Sequence, residues 1–177
     1  MLFLGSFPPQ PHRWCMPFYY PNWINDFWRI MGLIHFGDKD HFVVPGEKRF
    51  DEAAIRAFCS REGLAFYDTA CEVRRLRDNA SDAFLEVVTP TDVRALLRLI
   101  PDCRTLVTTG QKATEVIAAT FGCGVPAVGD SVVLCLDARA IRFWRMPSTS
   151  RAYPLKLEKK AESYRRLFPE KAVPSQP

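Results

Sequence analysis

No two of the six cysteines stand close enough to form a C-x-x-C pair. The steps between Cys15, Cys59, Cys71, Cys103, Cys123 and Cys135 are 44, 12, 32, 20 and 12 residues. Zinc and iron–sulfur sites are usually built around at least one such tight pair, so no metal or cluster is expected. The three histidines, His12, His35 and His41, are scattered and add no ligand pattern. No apolar run approaches the roughly 20 residues that a membrane-spanning helix needs, which argues against a membrane partner. The amino terminus lacks a basic flank and a long apolar stretch, so no signal peptide is expected. Free thiols in a reducing, cytoplasmic setting follow from that reading. Neither G-x-x-x-x-G-K-[ST] nor G-x-G-x-x-G occurs, which leaves nucleotide cofactors unsupported, and no cofactor is expected.

What is present is enough for one globular unit. The chain has 177 residues, 47% of them hydrophobic, and this predicts a single domain over residues 1–168 with a frayed, proline-bearing tail over 169–177. A monomer is expected. The net charge of +4 is unevenly spread. Residues 1–138 hold 14 Lys/Arg against 17 Asp/Glu, whereas residues 139–177 hold 10 against 3, a local excess of +7. Such a segment points to an anionic partner.

Short apolar runs alternate with helical periods. Strands are predicted at 2–4, 64–67 and 105–108, with a hairpin of 131–136 and 140–146. Helices are predicted from Trp23, whose apolar stripe runs through Phe27, Ile30, Met31 and Ile34. Others are expected at 51–61, from Thr89-Pro90 to Ile100, at 111–121, and at 154–168. The stretch 74–82 is highly charged and reads as a loop. This alternation implies an α/β fold, a three-layer α/β/α sandwich with a mainly parallel central sheet of about four strands. Ligands of such sheets sit beyond the carboxyl ends of the strands.

The positions to look at are therefore those just after the strands: Gly5 to Pro9, Asp68 to Cys71, Thr108 to Lys112, and Pro147 to Arg151. Gly5-Ser6-Phe7-Pro8-Pro9 is a stiff loop able to hold a flat ring, and equally a strand exit closed by a hydrophobic plug. Pro147-Ser148-Thr149-Ser150 offers hydroxyls and amides beside Arg142, Arg145, Arg151 and Lys156. It reads either as a phosphate grip or as an ordinary turn leading into a helix. Asn25 falls opposite the apolar stripe of its predicted helix and so faces solvent or a cleft, with Asn22 placed to cap.

Taken in order, these pieces resemble the uracil-DNA glycosylase superfamily, and most of all its hypoxanthine-DNA glycosylase group. The matching motifs are the G-S/T-x-P loop at Gly5 to Pro8 and the pair Tyr19-Tyr20. Next comes Asn25-Asp26-Phe27-Trp28-Arg29-Ile30-Met31-Gly32, and last Met146-Pro147-Ser148-Thr149-Ser150. The chain departs from the group at Pro21-Asn22-Trp23-Ile24, where Ala-His-Pro-Arg is usual. It also lacks the acidic water-activator of the first motif and the leading His of the last one.

The resemblance implies a uracil-DNA glycosylase-like fold and removal of a deaminated base, uracil or hypoxanthine, from DNA in base-excision repair. Such a base leaves the stack and enters a pocket, and the glycosidic bond breaks through an oxocarbenium-like state. Asn25 would orient the attacking water, with Gly5 and Ser6 as donors to the departing base. Phe7 or Tyr20 would stack on that base, and Asp68 or Thr69 would read its edge. Pro147, Ser148, Thr149, Ser150, Arg151 and Lys156 would hold the flanking phosphates. The implied partner is DNA containing deaminated bases. Two other readings stay open: a nucleic-acid-binding module without chemistry, and a small-molecule hydrolase or transferase of the same doubly wound type.

Overall fold

The computed structural model describes residues 1–76 and 85–168. The tail expected over 169–177 lies outside the described residues, as does most of the charged loop expected at 74–82. The chain opens on strand β1 (Leu2–Gly5) and continues through helices α1 (Phe27–Phe36) and α2 (Glu52–Glu62). Strands β2 (Ala65–Asp68), β3 (Ala70–Arg75) and β4 (Leu85–Pro90) follow, then helix α3 (Val93–Leu99). Strand β5 (Thr105–Thr109), helix α4 (Gln111–Phe121), strands β6 (Ser131–Leu136) and β7 (Arg139–Met146), and helix α5 (Leu157–Arg165) complete it.

The main sheet runs β2-β1-β5-β7-β6. Every neighbour pair in it is parallel except β6 with β7, which form the expected hairpin. The five strands are the three expected single strands and the two of the hairpin, with β6 returning along β7 as the antiparallel edge of the mainly parallel sheet. Alternation along each strand separates two cores. Phe3, Val107 and Met146 face α1, α2 and α5 through Phe27, Trp28, Phe58 and Tyr164. Leu2, Leu4, Leu106, Ile141 and Phe143 face α3 and α4 through Val93, Leu97 and Ile117. Side chains one position apart on a strand point to opposite faces, so both faces carry helices and the α/β/α sandwich follows.

Two elements differ most from their sequence expectation. Helix α1 starts at Phe27 instead of Trp23. Asn22 diverts the backbone first: its Oδ1 accepts the N–H of Ile24 at 3.0 Å, and its carbonyl accepts the N–H of Asn25 at 2.8 Å. That side-chain turn competes with the helix, so Asn25 sits on a tight turn instead of a helix face. Trp23 still joins the apolar stripe, because the Arg29 guanidinium lies 4.3 Å from its ring centre and donates to its carbonyl at 3.0 Å.

The second difference is at Thr89-Pro90, expected to open a helix. Both belong to β4, which pairs antiparallel with β3 in a separate two-stranded ribbon. Thr89 donates to the Glu72 carboxylate at 3.1 Å, and a proline is tolerated at the end of an edge strand. The cap of α3 is Asp92, which accepts the N–H of Ala95 at 2.9 Å.

Helix α5, expected over 154–168, is three residues shorter at each end, and β3 takes in Arg74 and Arg75 of the expected loop, whereas α2 and α4 lie within one residue of expectation. Gly63 closes α2 at φ +65, with its N–H on the carbonyls of Cys59 and Ser60. Gly32, inside α1, has a different reason. A Cβ there would lie 2.4 Å from the carbonyl oxygen of Asp38, so only glycine lets the 38–41 loop pass.

Candidate active site

A cleft of about 910 Å³ opens at the carboxyl ends of β1, β2, β5 and β7. Of the residues the sequence singled out, Gly5, Ser6, Phe7, Tyr20, Asn25, Asp68, Ser148, Thr149, Ser150 and Arg151 line it. Thr69, Pro147 and Lys156 do not. Thr69 is fully buried behind the first loop, where its N–H bonds the Gly5 carbonyl at 2.9 Å and its hydroxyl donates to the Ser6 carbonyl at 3.3 Å. Pro147 is buried too, and its carbonyl accepts the Tyr164 hydroxyl at 2.8 Å. Lys156 is exposed at the start of α5.

On the first wall, Gly5 pairs with Asp68 across the parallel β1–β2 ladder. A Cβ at position 5 would stand 3.0 Å from Asp68 Oδ1, so glycine is what admits the carboxylate this close to the backbone. Tyr20 closes the floor. Its ring stacks on Phe27 at 4.0 Å and 3°, and its hydroxyl meets Thr109 Oγ1 at 3.0 Å. The backbone of Tyr20 is left-handed at φ +52, a conformation uncommon outside glycine that the packed ring holds in place. Beside it Tyr19 is pushed to a higher pKa, first by burial and then by the negative charge of Asp68.

The opposite lip joins two segments far apart in sequence. Asn25 and Ser150 form an isolated antiparallel bridge, and the N–H of Asp26 bonds the carbonyl of Thr149 at 2.9 Å. Asn25 Oδ1 accepts the N–H of Phe27 at 2.9 Å, which fixes the amide at the first turn of α1. That bond uses one lone pair of the oxygen and leaves the second, together with the Nδ2 amine. Within the other segment, Ser148 Oγ accepts the N–H of Ser150 at 3.2 Å, and Ser150 Oγ accepts the N–H of Ala152 at 3.3 Å. The loop is thus held by its own hydroxyls.

With this geometry in hand, the chain can be set beside known proteins. No protein-family model and no curated protein sequence matches it. A solved structure does: the solution NMR structure of "a putative uracil DNA glycosylase" from Methanosarcina acetivorans. The two are 21% identical with a TM-score of 0.57, over 94% of this chain and 88% of that one. The fold is uracil-DNA-glycosylase-like.

Within this uracil-DNA-glycosylase-like fold the basic segment divides: Arg142, Arg151, Lys156, Lys159, Arg165 and Arg166 are exposed, whereas Lys160 is buried and several of the segment's arginines bond backbone carbonyls. Arg139 donates to the carbonyls of Leu97, Ile100 and Pro101 at the end of α3. Arg145 is bound to the Pro126 carbonyl and to the side chain of Gln111, and Arg166 to the Gly129 carbonyl. Arg142 pairs with Thr105, the first residue of β5, and so stands at the far end of the sheet from the cleft. Lys160 is buried, with its ammonium on Asp26 Oδ2 and on the Ser150 carbonyl, both at 2.8 Å. Arg151 is the member of this segment that reaches the cleft wall, and its Nε lies 3.3 Å from Asp26 Oδ1.

Among the lining residues, sequence reasoning singled out neither Trp14 nor Arg56, and it gave no role to Tyr19 of the Tyr19-Tyr20 pair, to Thr109 at the end of β5, or to the ion pair of Asp26 and Lys160. For Lys160 a signal existed. It stands three residues after Leu157 and four before Tyr164, on the apolar stripe of α5, where a solvated lysine has no place. Arg56 carries no comparable mark; it stacks its guanidinium 4.3 Å from the Phe18 ring centre and bonds Glu52 at 2.7 Å. Among the described residues no group of three or more His, Cys, Asp or Glu converges to hold a metal ion, and no helix is long and apolar enough to cross a membrane.

Proposed function

We propose that this protein is a DNA glycosylase that hydrolyses the N-glycosidic bond of a deaminated base, uracil or hypoxanthine, flipped out of DNA, as in the hypoxanthine-DNA glycosylase group. The observation that carries the proposal is the Asn25–Ser150 bridge. It seats an immobilised amide beside the hydroxyls of a Pro-Ser-Thr-Ser turn, on a cleft whose other wall bears Gly5, Ser6 and Asp68. Those groups match in kind what base excision needs, within one domain over residues 1–168.

In this mechanism the flipped base enters between the Gly5–Phe7 loop and Asp68, against Tyr20. Tyr20 is held from behind by Phe27, so it serves as a rigid wall, and Phe7 is the ring available to cover the base. An ionised carboxylate only accepts hydrogen bonds, so Asp68 takes up an N–H on the edge of the base. Uracil and hypoxanthine both present one. The Ser148 and Ser150 hydroxyls with Arg151 hold the phosphates flanking the sugar. The second lone pair of Asn25 Oδ1 orients a water toward C1′. As the C1′–N bond lengthens, the base departs with the bonding pair and the sugar becomes oxocarbenium-like. Backbone and hydroxyl donors of Gly5 and Ser6 stabilise the charge growing on the base. Water adds its oxygen to C1′, and its proton goes to the departing base or to solvent.

Among the described residues lining the cleft there is no histidine, and its one carboxylate, Asp68, is given to the base. A carboxylate at the water and a histidine at the base are each worth about 10²–10³ in rate, so turnover is modest. The test is excision on duplexes bearing one uracil, hypoxanthine or xanthine at low salt, followed by alkali. Breaks at the uracil or hypoxanthine are the expected result. Bound but intact DNA would identify a binding module, and the absence of salt-dependent binding would exclude DNA as partner.

A further inference from the structure

The buried Asp26–Lys160 pair beneath the cleft lip has no part in the chemistry just described. Asp26, 5% exposed, receives Lys160 on one carboxylate oxygen and Arg151 on the other. Lys160 is 1% exposed and lies in the middle of α5, with Tyr164 of the same helix fully buried four residues on. Its ammonium also donates to the carbonyl of Ser150. One side chain therefore grips both segments of the lip: the turn that carries Asn25 and the loop that carries Ser148 to Arg151.

Charge is the second consequence. Asp26 can cancel one cation, and two touch it directly. Arg29 also lies in its field; burial lowers its pKa first, then the positive charge of Arg151, while Asp40 and Asp26 oppose that fall. Arg29 has a carboxylate of its own in Asp40, at 3.8 Å. With Lys160 seated on Asp26, Arg151 is left only partly neutralised on the cleft wall. Without Lys160, Asp26 would satisfy itself on Arg151 and draw it inward.

Burying an ammonium is costly, and a buried ion pair contributes little net stability compared with apolar side chains of similar volume. What ionic partners add is direction, because each N–H must point at its acceptor. We infer that Lys160 is a positioning residue, the buried tether that holds the Asn25 turn against the Ser148–Arg151 loop and, by occupying Asp26, leaves the Arg151 charge available to a phosphate. The phosphate half rests on the DNA reading proposed above; the tether half does not.

Two variants test it, Lys160→Met and the pair Asp26→Asn/Lys160→Met. Methionine keeps an unbranched apolar chain and removes the charge. In the free protein, hydrogen exchange by NMR at the amide of residue 26, bonded to the Thr149 carbonyl, is compared with the sheet amides of β5. In parallel, the dependence of binding on salt is measured with a duplex carrying a single uracil. Lys160→Met should speed exchange at residue 26 tenfold or more relative to the sheet, and lower the salt slope by about 1. The double variant should keep the fast exchange yet return the slope to the wild-type value, because nothing then cancels Arg151. A loss of packing alone predicts no such return. Should Lys160→Met fail to fold, the double variant decides alone: wild-type exchange removes the tether, and a lowered slope removes the charge argument. If the wild-type protein binds no DNA, the DNA reading and the charge half fail together, while exchange still judges the tether.

Discussion

Replacing Asn25 by alanine separates the two roles that the geometry gives its amide. Structurally, the change deletes the acceptor for the Phe27 N–H at 2.9 Å and leaves the backbone bridge to Ser150 in place. Loss of one side-chain-to-backbone hydrogen bond of this kind costs about 1 kcal/mol. In a domain of this size that lowers Tm by roughly 2–4 °C. Against a total stability of about 5–15 kcal/mol, the variant remains almost wholly folded at 25 °C. Catalytically, the change removes the group that orients the water, a loss of about 10²–10³ in rate by analogy with other preorganised polar groups. Folding can therefore account for almost none of the activity lost. Single-turnover excision of uracil and hypoxanthine, with enzyme in excess, reads the chemical step, and a thermal melt of the same samples reads the hydrogen bond. Asn25→Asp supplies the control. It keeps an acceptor for Phe27 and offers a carboxylate to the water, so it should retain both stability and excision. If Asn25→Ala loses its few degrees but excises every substrate at the wild-type rate, the amide is a structural hydrogen-bond acceptor and nothing more.

Three further outcomes follow from particular contacts. Gly32→Ala would push a methyl to 2.4 Å from the Asp38 carbonyl oxygen, so it should lower the unfolding free energy by about 1–3 kcal/mol, read as a lower urea midpoint with an unchanged m-value. Tyr164→Phe leaves the buried Pro147 carbonyl without its donor at 2.8 Å, at a cost of about 1–3 kcal/mol by urea unfolding. A loss within 0.3 kcal/mol of zero would show that water replaces the hydroxyl. Burial raises the Cys59 thiol from 9.0 to about 12. The unfolded chain therefore releases that proton first, and its share of stability, complete below about pH 9, should fall as pH rises toward about 12. At pH 8, alkylation should label the exposed Cys71 and Cys135 well before Cys59.

Much of the site was legible in the sequence because its parts lie where strands stop. Gly5, Asp68 and Pro147 each follow or end a short apolar run, and a parallel sheet brings such ends to one edge whatever separates them in the chain. Asn25 was found for a partly wrong reason. The apolar spacing from Trp23 onward fits a helix, but the turn at Asn22 starts α1 four residues later. The two reasons lead to the same cleft. Composition counts charges and cannot see that Arg139, Arg145 and Arg166 bond backbone carbonyls or that Lys160 is buried, while Lys156, Lys159 and Arg165 stay exposed.

By itself the sequence determined the alternation of strands and helices, the two-faced burial of the sheet, and the stops at Gly37, Gly63 and Gly122. Each of these depends on residues within a few positions of one another, where period, caps and left-handed glycines act. Only the tertiary structure decided that Thr89-Pro90 closes a ribbon, that Arg142 stands away from the cleft, and that Lys160 lies buried on Asp26. That last pair is 134 residues apart in the chain. Whether a charged side chain meets water or a partner depends on what the fold sets opposite it, and no local pattern encodes that.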